Sequence, residues 1–571
     1  MTRIPSKVVS ESLCGGVMND RRDDDKEYPE VTISAFTETG QEELSIVVPL
    51  QRVYTGRYPM ISSRLADTPC ATLGVQGLLD QLNTTLGTSF SLDNPFLSSL
   101  LEDCVTNEYD FGMTYGRLRY IWYTDNWSTI RDVLCRREEE DGEERRQALS
   151  GDRIVDTFLP PRRVWDLYSN RVVPYWIRLK PADNMSFLRP ISHAWMDEKD
   201  RAVVWTSING NEWPVPIPKD ANLNLIRIEM LNLGEEYAWL DVLCLRQVGG
   251  PGEDLRIEEW KVDVPTIGAV YRRGDVLCYL SGLGRPLTLK EGDLESDRCW
   301  FRRAWTLQEL GYGIEIAGDT PDGPLHAERK DGKYETELLT RFHEQLQSVK
   351  QMPFRVLPAL KEMQKRVSTN PVDKIAGLAF LLDSGMIPAY HESASLEEAW
   401  IALVNTMYNE RRGPLFFLCA EPGNAGKKWR PSWDQVMMKP LPAYNLDPCI
   451  LVHWHEKREE DWCDAECIEG LVRGLAVVRG GRRRGKLIVA HQDGKKHRFK
   501  ITAAHKYPIP EDTYTLIYGC DIQHKSSRRY GWVVGRSLPE GNFEKVSVLE
   551  MSHDEWNRLR RIAEKRRCIL I

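Results

Sequence analysis

Between residues 161 and 320, short runs rich in β-branched and aromatic residues alternate with stretches of helical spacing. That alternation limits the fold more than any other feature of the chain. Strands separated by helices need crossover connections, and crossovers set neighbouring strands parallel with helices on the faces of the sheet. FLRPISHAW (187–195), YAWLDVLCL (237–245) and DVLCYL (275–280) read as three such strands. Between the first two, DANLNLIRIEMLNLG predicts a helix capped by Asp220 and ended by Gly234, with Leu223, Ile226, Met230 and Leu233 as its apolar stripe. After the second, Trp260, Val264, Ile267 and Tyr271 form another apolar face, and Pro265 starts or kinks that helix. The fold class expected for residues 161–325 is therefore α/β.

A chain of 571 residues exceeds what one hydrophobic core can organise, so further domains are expected. Residues 1–30 are polar and read as a disordered leader. Residues 31–150 read as mainly helical, with Asn94 as an N-cap and Pro95 in the first turn. The run RREEEDGEERR (136–146) reads as a solvated loop at a domain boundary. Residues 335–420 are helical again, most clearly in DKIAGLAFLLDSG and SLEEAWIALVNTMYNE. From 425 to 550 the pattern turns to β, in the manner of a small barrel or sandwich. Residues 551–571 read as a basic helix, with Ser552 and Glu555 at capping-box spacing.

A net charge of −8 and an isoelectric point of 5.9 supply no global basic field, so nucleic acid is not an expected partner. No apolar run approaches the roughly 20 residues that span a bilayer, and the N-terminus lacks the apolar stretch of a secretory signal. The 13 cysteines are odd in number and scattered, which fits reduced thiols and a cytoplasmic location.

The stretch CWFRRAWTLQEL (299–310) concentrates aromatics and then ends on a carboxylate. On a helix, Trp300, Phe301, Ala304, Trp305 and Leu307 would share one face, Gln308 would fall inside it, and Glu309 would sit at its margin. A glutamine in an apolar stripe needs partners, and a carboxylate beside indole rings is desolvated in a way that suits acid–base work. On the residues alone, a surface glutamate paired with Arg302 or Arg303 stands as the other reading.

Three blocks resemble one family. RPISHAWMDE, EYAWLDVLCLRQ and RRAWTLQEL follow the order and spacing of the fungal heterokaryon-incompatibility (HET) domain. The matching positions are Ser192 and Trp195; Trp239, Asp241, Leu243, Cys244 and Gln247; and Arg303, Trp305, Thr306, Gln308 and Glu309. NPVDKIAGLAFLL (370–382) resembles the segment that often follows that domain, while Met196 and Ala304 stand where the family carries glycine.

HET domains are similar to TIR domains, and WTLQEL resembles the TIR signature whose glutamate is catalytic in the enzymes that cleave NAD. The resemblance implies a TIR-like, flavodoxin-like doubly wound sheet in an effector of non-self recognition and regulated cell death. It implies Glu309 as catalytic residue. Asp241, Trp305, Gln308, Ser192 and Trp195 would lie around the substrate, NAD, with no metal and no permanently bound cofactor. Asp241 could equally cap the turn after its strand. Self-association through the HET domain and an incompatibility partner protein are the partners implied. The rival reading is a non-enzymatic module that acts by oligomerising.

Other signals carry less. GGRRRGKL (480–487) lacks the Ser or Thr of a phosphate loop and reads as a basic hairpin. Cys449, His453, His455, Cys463 and Cys467 crowd together without a usual zinc spacing. CILI at 568–571 fits a prenylation box on Cys568, with nearby arginines as a second signal for peripheral membrane contact; an apolar tail packed on the β domain is the alternative.

Overall fold

A computed structural model of the chain describes residues 31–33, 52–54 and 58–571, apart from 125, 178–187, 286, 288, 310–312, 318–333, 335, 351–354, 383, 444, 479–481, 491–494 and 524–527. The polar leader, 1–30, lies outside the described residues. The chain is mixed α/β, with several sheets and a β-rich C-terminal region.

One sheet is built from β1 (Arg163–Asp166), β2 (Arg171–Pro174), β3 (Leu188–His193), β4 (Tyr237–Leu240), β5 (Val276–Tyr279) and β6 (Ile314–Ile316). Their order across the sheet is β6-β5-β3-β4-β1-β2. The pairs β6–β5, β5–β3 and β3–β4 are parallel; β1 is antiparallel to both β4 and β2. β4 and β5 are buried along their whole length, as expected of strands covered on both faces. The three strands read from the sequence are present but shorter, because the chain turns into a helical turn, Asp241–Cys244, directly after Leu240.

The helix before β4 spans Leu223–Asn232, and its N-cap is Asn222, whose side chain accepts from the Asn224 and Leu225 amides. Asp220 does not cap it; it pairs with Arg285 at 2.8 Å. Pro265 falls between two helices, Glu253–Asp263 and Ile267–Tyr271, as its missing N–H and fixed φ require.

N-terminal helices pack on the β1–β2 edge and share its core. The helix Phe111–Leu118 approaches so closely that a Cβ on Gly116 would lie 2.8 Å from Ser169 Oγ. Just beyond it Arg119 is fully buried, pairing with Asp166 at 2.6 Å and Glu236 at 2.7 Å, with the Tyr120 ring 4.7 Å from its guanidinium. The charge run 136–146 is not a loop. It lies within a helix, Ile130–Ala148, where Arg136–Glu140 and Arg145–Asp141 are i,i+4 pairs and Arg145 reaches Asp263 at 3.4 Å.

Helices from Glu337 to Met438 join the α/β unit to the C-terminal region. Leu396–Thr406 begins with the capping box Ser395/Glu398. The C-terminal strands are β7 (Asn445–Cys449), β8 (His453–His455), β9 (Glu460–Arg473), β10 (Arg483–Ala490), β11 (Lys496–Ala503), β12 (Asp512–Gln523), β13 (Arg528–Ser537), β14 (Asn542–Ser552) and β15 (Glu564–Leu570). Because β9 pairs with both β10 and β12, and β11 with β14, the ladder closes into the ring β9-β10-β11-β14-β13-β12, antiparallel throughout. Closure removes the free edges that an open sheet would expose.

The expected basic helix over 551–571 is cut short. Only His553–Leu559 is helical, with Ser552 capping Glu555 N–H, and β15 then pairs antiparallel with β9. Cys568 faces Cys463 across that pair and is buried, its sulfur 3.6 Å from that of Cys467. A lipid on Cys568 would have to pull β15 out of the sheet, so this geometry gives lipidation no support.

Candidate active site

The segment 299–309 is not the single helix that its spacing suggests. It forms two 3₁₀ turns, Trp300–Arg302 and Trp305–Leu307, separated by Arg303 in an extended conformation. Tertiary bonds impose the break. Val367 N donates to Arg302 O at 2.6 Å and Ala304 N to Val367 O at 2.9 Å. The buried Thr306 hydroxyl reaches Trp300 O at 2.7 Å, and Arg366 donates to both Arg303 O and Thr306 Oγ1 at 2.6 Å. Arg366 is itself buried, which pushes its pKa down to about 10.

This strapping sets Glu309 against the C-terminal end of β3. Glu309 is 4% exposed, and Ser192 Oγ donates to its Oε2. Ser192 is in turn fixed by the Trp300 indole, whose Nε1 donates to Oγ at 2.7 Å. Burial pushes the Glu309 pKa up, and the charge of Asp241 adds to the shift; Arg303, the Ser192 bond and His193 oppose it.

Asp241 follows β4 and stands in the opposite state. Burial alone would raise its pKa, but the charge and bond of His193, the charge of Arg303 and the Val242 N–H outweigh it and hold the carboxylate below its ordinary range. His193 Nε2 lies 3.0 Å from Asp241 Oδ1, and Val242 N donates to the same oxygen at 2.8 Å. Asp241 thus begins the helical turn after β4 without capping it from outside, and its side chain is still 21% exposed. Two carboxyl groups with pKa values driven apart are the usual basis for distinct acid and base roles.

Arg303 donates to His193 O, and its guanidinium lies 5.2 Å from the Trp195 ring, with Arg201 at 4.8 Å from the same ring. Trp195 also stacks with His193 at 6.0 Å. Ser192, Trp195, Asp241 and Glu309 are thus brought into one neighbourhood, and residues from all three sequence blocks meet there.

Trp305 is not among them. Its ring lies 6.3 Å from Tyr390 and its indole bonds Asp373, so it packs toward the helical region. Gln308 is 3% exposed, and among the described residues neither its Nε2 nor its Oε1 has a partner. An unpaired buried amide costs about 1–3 kcal/mol. It marks this corner as poorly satisfied in the closed state rather than as a formed ligand contact.

Trp300, His193 and Arg303 matter more than the sequence pattern ranked them. Arg366 was not legible at all, since one arginine in a polar helix end carries no signal of burial. The constellation is packed rather than cleft-like. The Cys449, His453, His455, Cys463 and Cys467 set does not gather: His453 bonds Asn409 at 2.9 Å and Cys463 faces Cys568. Among the described residues no group of His, Cys, Asp and Glu is arranged to hold a metal ion. Cys244 is buried, its thiol pushed up to about 12, which suits a core residue and not a nucleophile.

No protein-family model matches this sequence, no curated protein matches it, and no solved structure matches the fold. No helix among the described residues is long and apolar enough to cross a membrane.

Proposed function

We propose that this chain is a HET-type effector of regulated cell death whose α/β unit cleaves NAD with Glu309 as the catalytic carboxylate. One observation carries the reading: Ser192, Asp241, Arg303 and Glu309, drawn from three separated sequence blocks, converge at the carboxyl ends of β3 and β4. Taken alone, the parallel strands run in the order β4-β3-β5-β6, which in chain order is 2-1-3-4. Those four strands match the start of the flavodoxin-type order, which supports the doubly wound reading; sheets of that type bind ligands where the order reverses, here the ends of strands β3 and β5. Ser192 lies at that point.

Breaking the nicotinamide–ribose bond leaves positive charge on the ribose carbon. A carboxylate kept out of bulk water stabilises that charge more strongly than one in solvent. Ser192, itself fixed by Trp300, holds Glu309 Oε2 in place, and Asp241, already ionised, would accept a hydrogen bond from a ribose hydroxyl. Nicotinamide leaves with the bonding electrons, and water supplies the new oxygen at the ribose carbon. At 4% exposure Glu309 is occluded in this state, so activity requires the 299–309 segment to shift, and assembly of several copies is the event we assign to that opening.

The same occlusion favours a second reading, in which the unit kills by oligomerising without chemistry. Expressing Glu309→Gln in cells separates the two. The enzyme reading expects NAD to be retained and cells to survive; undiminished killing would leave only the oligomerising module.

A further inference from the structure

A cavity of about 390 Å³ lies away from Glu309, between the hairpin Arg201–Val204/Val215–Pro218, the first turn of the helix Leu223–Asn232 and the helix Ser63–Ala66. Its walls include Asp67, Asn170, Trp205, Ser207, Ile217 and Asn224. We propose that it binds an uncharged small molecule that combines a flat ring face with vicinal hydroxyls, as a nucleoside or a sugar does.

The first argument is the indole. Trp205 is 55% exposed and lines the cavity, so its indole face is open to a ring laid against it. The second is that the polar groups are fixed in advance. Asp67 Oδ1 accepts from Ser207 Oγ and from Arg171, both at 2.6 Å, while its side chain stays 49% exposed. That leaves Oδ2 as an oriented acceptor. Asn224 Oδ1 accepts from Ser63 Oγ at 3.0 Å and from Asn170 Nδ2 at 3.1 Å. Its Nδ2 has no acceptor among the described residues. Asn170 is held in turn by the Trp165 indole at 3.2 Å.

An acceptor, a donor and a ring face on one rigid frame suit adjacent hydroxyls beside a flat ring. Little ordering remains to be done on binding. The charge disfavours anions: among the described residues no lysine, arginine or histidine lines the cavity, and Arg171 is already spent on Asp67 and Asp110. The volume falls in the range that takes a small metabolite, roughly 300–1,000 Å³.

Titration calorimetry on the full chain with adenosine, and separately with maltose, tests this. Saturation by either at about 1 mM or below supports the site and identifies the source, nucleoside or free sugar. Trp205→Ala is expected to weaken that binding roughly tenfold or more, given what ring stacking contributes. Val203→Ala, exposed on the same hairpin but outside the cavity, is expected to leave it unchanged. Absence of binding by both probes, or equal affinity in a Trp205→Ala protein with an unchanged melting curve, overturns the assignment.

Discussion

In the closed ring of the C-terminal region Leu487, Phe499, Leu516, Trp532 and Leu549, one from each of five strands, form a continuous apolar core, with a few buried charges such as Arg483, Lys545 and Glu550 beside it. The α/β unit and its N-terminal helices instead bury Arg119, Asp166, Arg171, Ser192, Arg227 and Glu309. A ring of antiparallel strands meets most of its backbone requirements by itself, and its core side chains chiefly supply volume. The parallel sheet has open ends where strands stop and loops cross, and buried polar side chains complete the bonding there. In the α/β unit, groups that are costly to bury therefore lie at strand ends and at the seam with the helices. The candidate chemistry lies at one of those places.

The largest expected effect on stability follows from the seam. Asp166→Ala leaves Arg119 buried without its main partner and is expected to cost about 3–5 kcal/mol in chemical denaturation. Replacing both together, Arg119→Met with Asp166→Leu, is expected to recover much of the loss, because the stranded charge goes with its partner. In the ring, Leu516→Ala is expected to cost about 2–5 kcal/mol through the cavity it leaves, and no change of charge elsewhere should restore it. If the double change in the seam were no better than the single one, the contrast between the two regions would be wrong.

A smaller effect separates the two carboxyls of the site. Glu309 binds its proton more tightly folded than unfolded, so its stabilising contribution is complete below the unfolded value near pH 4.3 and is lost as pH rises toward the raised folded value. Asp241 works in the other direction, contributing above about pH 3.9 and losing that as pH falls through its lowered folded value. Thermal melts across pH should show Glu309→Gln gaining on the wild type as pH rises through and above the carboxylate range. Asp241→Asn should remove part of the loss in acid. A Glu309→Gln protein that tracks the wild type at every pH would mean that the glutamate is solvated.

Strands β3, β4 and β5 of the α/β unit and the β texture of the C-terminal region were legible because their residues combine β propensity with burial; β1, β2 and β6 were not read. Asn94–Pro95 and Ser552 were legible because caps are local. The segment 299–309 was not, since its helical spacing yields to Val367 and Arg366, more than fifty residues away. The run 136–146 looked like a loop because its charges conceal a helix tied down by Arg145. At the C-terminus the arginines suggested a helix, but the alternate burial of Cys568 and Leu570 belongs to a strand. Of the site, the sequence placed Ser192, Trp195, Asp241 and Glu309 in one neighbourhood and misplaced Trp305, whose indole turns to Asp373.

Release of nicotinamide from NAD by the purified full chain, wild type against Glu309→Gln, is the most direct measurement. A loss of about 100-fold or more in the variant, with folding intact, is the result expected for a carboxylate that stabilises charge in the transition state. Equal rates in the two proteins, or no release by the wild type in its assembled form, would contradict the account.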